Sequence, residues 1–129
     1  MKPGMEIGQK ATHTITVTDE MFASFEGEVV HPTYSTVSMV YHMEWTARKI
    51  ILPFLEEDEE GMGAAVNIKH VRPAPKGSTI IVTAELTKIK ENVVLTEMTA
   101  ESEGELVGLG EVKQVILPKK KIKQMLMAD

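Results

Sequence analysis

Apolar residues recur along this chain at two different spacings. Between about Ser35 and Leu55 the interval is helical: Met39, Met43, Ala47, Ile51 and Phe54, with Val37, Val40 and Tyr41 widening the stripe. Apart from Glu44, Arg48 and Lys49 that segment carries no charge, which predicts one long and largely buried helix. Ser35 or Thr36 suits its N-cap, and Pro53 kinks or ends it near the last turn. Beyond Gly61 the period becomes two. Ala64, Val66, Ile68 and His70 share one face of a strand, and Ala65, Asn67 and Lys69 the other. Pro73 to Gly77 reads as a turn, and Ser78 to Lys90 as a long strand rich in threonine, isoleucine and valine. Glu91-Asn92 and Glu103-Gly104 are tight-turn signals around a strand from Val93 to Glu101, and Leu106 to Leu117 makes the last strand. Gly108 and Gly110 fall on one face of it, where they permit a bend or close packing of another element.

Upstream of the helix the signals are shorter. Ile15 and Val17 alternate with threonines in a first strand from His13 to Thr18. Asp19 to Phe25 reads as a short helix capped by Thr18 or Asp19, and His31-Pro32 biases Gly27 to Thr33 toward extended structure. One helix, a four-strand antiparallel meander and an earlier strand make an α+β pattern in a single domain over residues 1–129, with no internal repeat or linker. A sheet with only one long helix must curve around it, and its edge strands need covering. A homodimer that pairs those edges is the expected assembly.

Composition narrows the chemistry. The 129 residues are 43% hydrophobic and 26% charged, an ordinary globular balance. A chain of this length buries roughly two-thirds of its unfolded surface. There is no cysteine, which removes disulfides, thiolate metal sites and thiol nucleophiles. A net charge of -5 and 5% aromatic residues argue against a nucleic-acid partner. No run approaches the ~20 apolar residues of a membrane span. No apolar stretch follows Met1-Lys2-Pro3-Gly4, so no secretory signal is visible and a cytoplasmic location is expected. The histidines at 13, 31, 42 and 70 lack metal-ligand spacing, and no metal is expected. The acidic run Glu56 to Glu60 lacks the pattern of a calcium loop and reads as solvated. Phosphate loops, G-x-S-x-G elbows and H-E-x-x-H pairs are absent.

Glu44 stands out, because it sits between Met43 and Trp45 in the most apolar segment. Carboxylates are rarely buried unless paired or functional. Either it marks a polar edge of the helix and pairs with Arg48 at i+4, or it does chemistry. His70 shares a face with Val66 and Ile68, which should point toward the helix. Alone it reads as a satisfied core histidine. A helix carboxylate and a strand imidazole converging in an apolar setting would make an acid–base arrangement. Thr36, eight residues before Glu44, is by itself a helix cap.

The string Thr36-Val37-Ser38-Met39-Val40-Tyr41-His42-Met43-Glu44-Trp45 resembles the central-helix motif of the fluoroacetyl-CoA thioesterase-like family of hotdog-fold proteins. The resemblance continues through Pro53-Phe54-Leu55-Glu56, Gly63-Ala64-Ala65-Val66, His70, Pro75-x-Gly77 and Val82-Thr83-Ala84-Glu85-Leu86, and includes Met1 to Met5 and Thr12-His13. It implies a hotdog fold, a curved antiparallel sheet around one central helix. It also implies a catalytic set of Thr36, Glu44 and His70, with Gly63 beside the thioester, where a backbone N–H polarises the carbonyl. Glu44 would act as nucleophile or general base, His70 would transfer the proton, and Thr36 would orient substrate or carboxylate.

Two departures shape what the resemblance implies. The stretch between the first strand and the helix is shorter than in the family, and its aromatic lid has no clear counterpart. Gln114, beside Lys113, stands where the family places a basic residue. The expected activity is therefore hydrolysis of a small or short-chain acyl-CoA, with coenzyme A entering only as part of the substrate and no separate cofactor. Arg72 and Lys76, which follow His70, are candidates to meet the CoA phosphates, with Lys119-Lys120-Lys121 as another basic run. A non-catalytic acyl-CoA binding module is the competing reading. A hotdog dehydratase is a further one, opposed by Thr33-Tyr34 after His31-Pro32.

Overall fold

The computed structural model describes residues 1–127. Seven strands and two helices follow one another: β1 (Lys10–Thr16), β2 (Phe22–Phe25), β3 (Glu28–Tyr34), α1 (Thr36–Ile51), β4 (Glu59–His70), β5 (Thr79–Lys90), β6 (Val93–Ser102), β7 (Glu105–Pro118) and α2 (Lys119–Met127). Five strands form one antiparallel sheet in the order β1-β5-β6-β7-β4, and β2 pairs with β3 in a separate ribbon. The sheet curves around α1, which packs against β1, β4, β5, β6 and β7. This is the α+β hotdog architecture that the sequence implied.

Periodicity explains the core. Ile80, Val82, Ala84 and Leu86 of β5, and Val94, Met98 and Ala100 of β6, alternate inward and meet Met39, Met43, Ala47, Ile50 and Ile51 of α1. The helix begins where expected: Ser35 keeps an extended backbone, and its Oγ accepts a hydrogen bond from the Ser38 N–H at 3.0 Å. It ends in a 3₁₀ turn, Leu52–Phe54, that contains Pro53. Each of the three tight hairpins has a two-residue loop. At Glu103-Gly104 both loop residues take positive φ, 51° and 78°, the geometry that matches strand twist. The glycines of β7 do permit close packing. A Cβ on Gly110 would run into the Asn67 carbonyl of β4 and stand 2.9 Å from Ile68 Cα, and one on Gly108 would run into the Met39 side chain.

Several expectations are corrected. The first strand begins earlier, at Lys10, and ends at Thr16. Asp19 to Phe25 is not a helix: a 3₁₀ turn at Asp19–Met21 leads into β2, which exists through its pairing with β3. The four later strands do not form a simple meander, because β4 pairs with β7 rather than β5 and lies at the far edge. A register shift between Gly63 and Ala65 places Gly63, Val66, Ile68 and His70 on the inward face and leaves Ala64 as the extra residue. Glu59 and Glu60 open β4 instead of belonging to a loop. The second helix, α2, was not expected; none of its residues is buried, so it has no apolar seam to read. Most consequential is the face that α1 leaves open. Val37, Tyr41 and Trp45 are 78%, 60% and 42% exposed, so the helix is buried on one side only. No described helix is long and apolar enough to cross a membrane.

Three imidazoles, one buried and two half-buried, are shifted toward their neutral forms. Burial pushes His13, His42 and His70 below the ordinary 6.5, with Lys49 adding to the shift at His13 and His13 at His42; the Arg72 backbone opposes part of it at His70. Below pH 6.5 the unfolded chain therefore binds more protons than the folded one. Stability is expected in full above that value and to decline as pH falls through it; equal urea midpoints at pH 7.5 and 5.5 would contradict this. Gly110→Ala should lower unfolding free energy by about 1–3 kcal/mol, the usual cost of forcing atoms into a packed site, read from the same urea titrations.

Candidate active site

Thr36 is the first residue of α1 and His70 the last of β4, and the fold brings them together. Thr36 Oγ1 lies 2.9 Å from His70 Nδ1. On the other side the imidazole meets the edge of the Tyr34 ring, with centroids 6.3 Å apart and planes at 70°. His70 Nε2 is buried and has no hydrogen-bond partner among the described residues. In the tautomer where Nδ1 donates to the threonine hydroxyl, Nε2 keeps a free lone pair. A buried polar atom without a partner costs stability, and such atoms concentrate where something else is meant to bind.

Glu44 belongs to a second group. Two turns further along α1, it lines a cleft of about 430 Å³ with Tyr41, Trp45 and Arg48 of the helix, Gly61 and Gly63 of β4, and Val112 and Gln114 of β7. Its carboxylate lies directly on Gly63. A Cβ at that position would stand 2.8 Å from Glu44 Oε1, so glycine leaves the carboxylate where it lies and a larger residue would make it shift. The expected burial of Glu44 is not found, since its side chain is exposed to the cleft. Nor does it pair with Arg48, whose guanidinium bonds Glu60 at 2.8 Å. Gln114 is 5% exposed and donates from Nε2 to the Ala47 carbonyl at 3.1 Å, leaving its Oε1 without a protein donor among the described residues.

The two groups do not converge within one chain. Thr36 and Glu44 are separated by roughly 12 Å along the helix. Gly63 and His70 are seven positions apart on β4, roughly 23 Å at strand rise. The expected meeting of Glu44 with His70 is therefore absent inside a single subunit. Arg72 and Lys76 do not line the cleft either. Arg72 bonds Glu105 at 2.9 Å and Lys76 bonds Asp19 at 2.8 Å, all four side chains being well exposed. No group of acids, histidines and cysteines among the described residues is arranged to hold a metal.

The cleft wall of Tyr41, Trp45 and Arg48 is not legible from spacing: Tyr41 falls with the apolar stripe, and nothing in the pattern marks Trp45 or Arg48 as lining a cleft. It also missed Tyr34, whose part beside His70 depends on where β3 ends and is invisible to periodicity.

Comparison with known proteins shows the family. Residues 17–120 match the family model described as fluoroacetyl-CoA-specific thioesterase, FlK. The chain is 27% identical over 128 residues to the fluoroacetyl-CoA thioesterase of Streptantibioticus cattleyicolor, covering 91% of this chain and 88% of that one. A Thermus thermophilus protein described as a thioesterase superfamily member superposes with a TM-score of 0.92 at 43% identity, over 96% of this chain and 92% of the other. A crystallised variant of FlK gives 0.88 at 26% identity, over 97% of both chains, and another FlK structure holds fluoroacetate and CoA. With the family model spanning most of its length, the chain belongs to the fluoroacetyl-CoA-specific thioesterase (FlK) family.

Proposed function

We propose that Glu44, His70 and Thr36 carry out the hydrolysis of a small acyl-CoA thioester in a homodimer, with Glu44 facing the Thr36–His70 pair of the other subunit. The activity itself, acyl-CoA thioester hydrolysis, is that of the family. One observation supports the shared site: Thr36 and His70 are hydrogen-bonded, while Glu44 is seated over Gly63 at the other end of β4. The outer edge of β4 carries no strand among the described residues, and the open helix face of Val37, Tyr41 and Trp45 lies apolar and exposed. Pairing β4 with its copy around a two-fold axis between Val66 and Asn67, midway between Gly63 and His70, would cover both surfaces. The same axis would set Gly63 level with His70 of the partner subunit, and Glu44 with it.

The chemistry follows from the side chains. Glu44 supplies a carboxylate oxygen to the thioester carbonyl carbon, either attacking it or deprotonating the water that does. The carbonyl oxygen gathers negative charge, which the Gly63 backbone N–H is suited to stabilise. The C–S bond then breaks. On the water route the proton taken by Glu44 passes through the Nε2 lone pair of His70, oriented by Thr36, to the departing CoA sulfur. On the covalent route CoA leaves as thiolate, and a water deprotonated at that Nε2 hydrolyses the acyl–Glu44 anhydride to free acid and carboxylate. Both routes need the carboxylate. The cleft of about 430 Å³ matches a small acyl group with part of the pantetheine arm. Arg72 and Lys76 sit beyond His70 in surface ion pairs that CoA phosphates would have to displace.

Glu44→Gln keeps shape and removes the carboxylate, so it should abolish most thiol release across a panel of small acyl-CoAs. His70→Ala should cost on the order of 10²–10⁴ in rate, and Thr36→Ala less. Light scattering should give a dimer mass for the parent and all three variants. Near-normal hydrolysis by Glu44→Gln, or a monomeric mass at micromolar concentration, overturns the reading.

A further inference from the structure

Behind the Thr36–His70 pair lies a second hydrogen-bonded pair that the proposed chemistry does not use. Tyr34 Oη and His42 Nδ1 are 2.7 Å apart, and the two residues are only 1% and 5% exposed. Neither lines the cleft that holds Glu44. Their protonation states are fixed by their surroundings. Burial raises the Tyr34 hydroxyl well above its ordinary range, which keeps it a neutral donor. Burial and the neighbouring His13 hold His42 below its own, which keeps the ring neutral, so the bond to Tyr34 joins two uncharged groups. Tyr41 meets the His42 ring edge-on from the open helix face, and His13 of β1 approaches it at 6.1 Å. Lys49 Nζ donates to His13 Nδ1 at 3.1 Å, which keeps that ring neutral too.

The pair matters because of where Tyr34 stands. It is the last residue of β3, Ser35 is the N-cap, and Thr36 opens α1. Main-chain bonds hold the junction, from Tyr34 N–H to the Ala74 carbonyl at 2.8 Å and from Ser35 N–H to the Met21 carbonyl at 2.7 Å. The Tyr34 side chain adds a hydrogen bond from this junction to the second turn of α1, at His42. His70 is thus held by one junction on two sides, through the Thr36 hydroxyl and the Tyr34 ring edge. We infer that the Tyr34–His42 hydrogen bond positions His70, by locking the ring that walls it and the helix start that carries its partner Thr36. Residues behind a reacting group act this way when their own rotamers are fixed by packing and hydrogen bonds. The inference rests on His70 acting in the reaction.

Three variants and two readouts test it. Tyr34→Phe and His42→Leu remove the hydrogen bond at nearly constant volume, whereas His42→Asn offers Oδ1 where Nδ1 stood. Tyr34→Phe and His42→Leu should lower kcat by on the order of 10- to 100-fold, the scale for misplacing a reacting group, with the KM for acyl-CoA nearly unchanged. His42→Asn should recover most of that loss. In NMR titrations of imidazole-labelled protein, Tyr34→Phe should move His70 up toward its ordinary value as water reaches Nε2. Parental kcat in both disrupting variants overturns the inference. So does a loss of kcat that follows the folded fraction, with the His70 titration unmoved and no recovery in His42→Asn. His70→Ala, assayed beside them, tests the catalytic reading of His70 separately: its failure shows as normal turnover in that variant alone.

Discussion

A single helix serves as the whole inner layer for a five-stranded sheet, and the rest of the molecule answers to that constraint. The stripe of Met39, Met43, Ala47 and Ile51 can be buried only if the sheet curves around it. Curvature in turn leaves one flank of the helix uncovered at the β4 edge, where Tyr41, Glu44, Trp45 and Arg48 meet a strand carrying Gly61 and Gly63. Ordinary side chains at those two strand positions would collide with Ile51 and with the Glu44 carboxylate. The cleft is thus a by-product of wrapping, widened by two glycines, and its one charged group without an ion-pair partner is a carboxylate on the helix.

The same geometry separates the groups to which the proposed chemistry is assigned. Thr36 sits at the start of the helix because Ser35 caps it, and His70 ends β4 opposite Gly108. Those two facts place a hydroxyl against an imidazole at one end of the strand. Glu44 is fixed at the other end by its seat over Gly63. A strand that paired with its own copy would exchange its two ends, which is the arrangement proposed for the site, and the exposed apolar residues on the helix flank would be covered by it.

Much of this was legible in the sequence because it depends on local chemistry. The helix stripe, the Ser35 cap, the stop at Pro53, the turns at Glu91-Asn92 and Glu103-Gly104 and the close packing at Gly108 and Gly110 each follow from residue type and spacing. The site residues could be nominated by resemblance, but their grouping could not. Whether Glu44 meets His70 depends on strand order, and β4 pairing with β7 instead of β5 is a long-range outcome. The Phe22–Phe25 strand was hidden for the same reason, since Phe-Ala-Ser-Phe has little extended preference until β3 lies beside it. The Tyr34–His42 bond joins residues eight apart, one of them outside the helix, and no periodicity reports it.

The division of the site between subunits can be read directly by mixing two inactive proteins. Glu44→Gln and His70→Ala subunits, unfolded together and refolded at equal concentrations, form mixed dimers in which one site has both native groups and the other has neither. A shared site restores about a quarter of the parental hydrolysis, because half the dimers are mixed and half their sites are whole. Activity that stays at the level of the separate variants, with mixed dimers shown to be present by mass, would place Glu44 and His70 in the same subunit's site and contradict the shared arrangement.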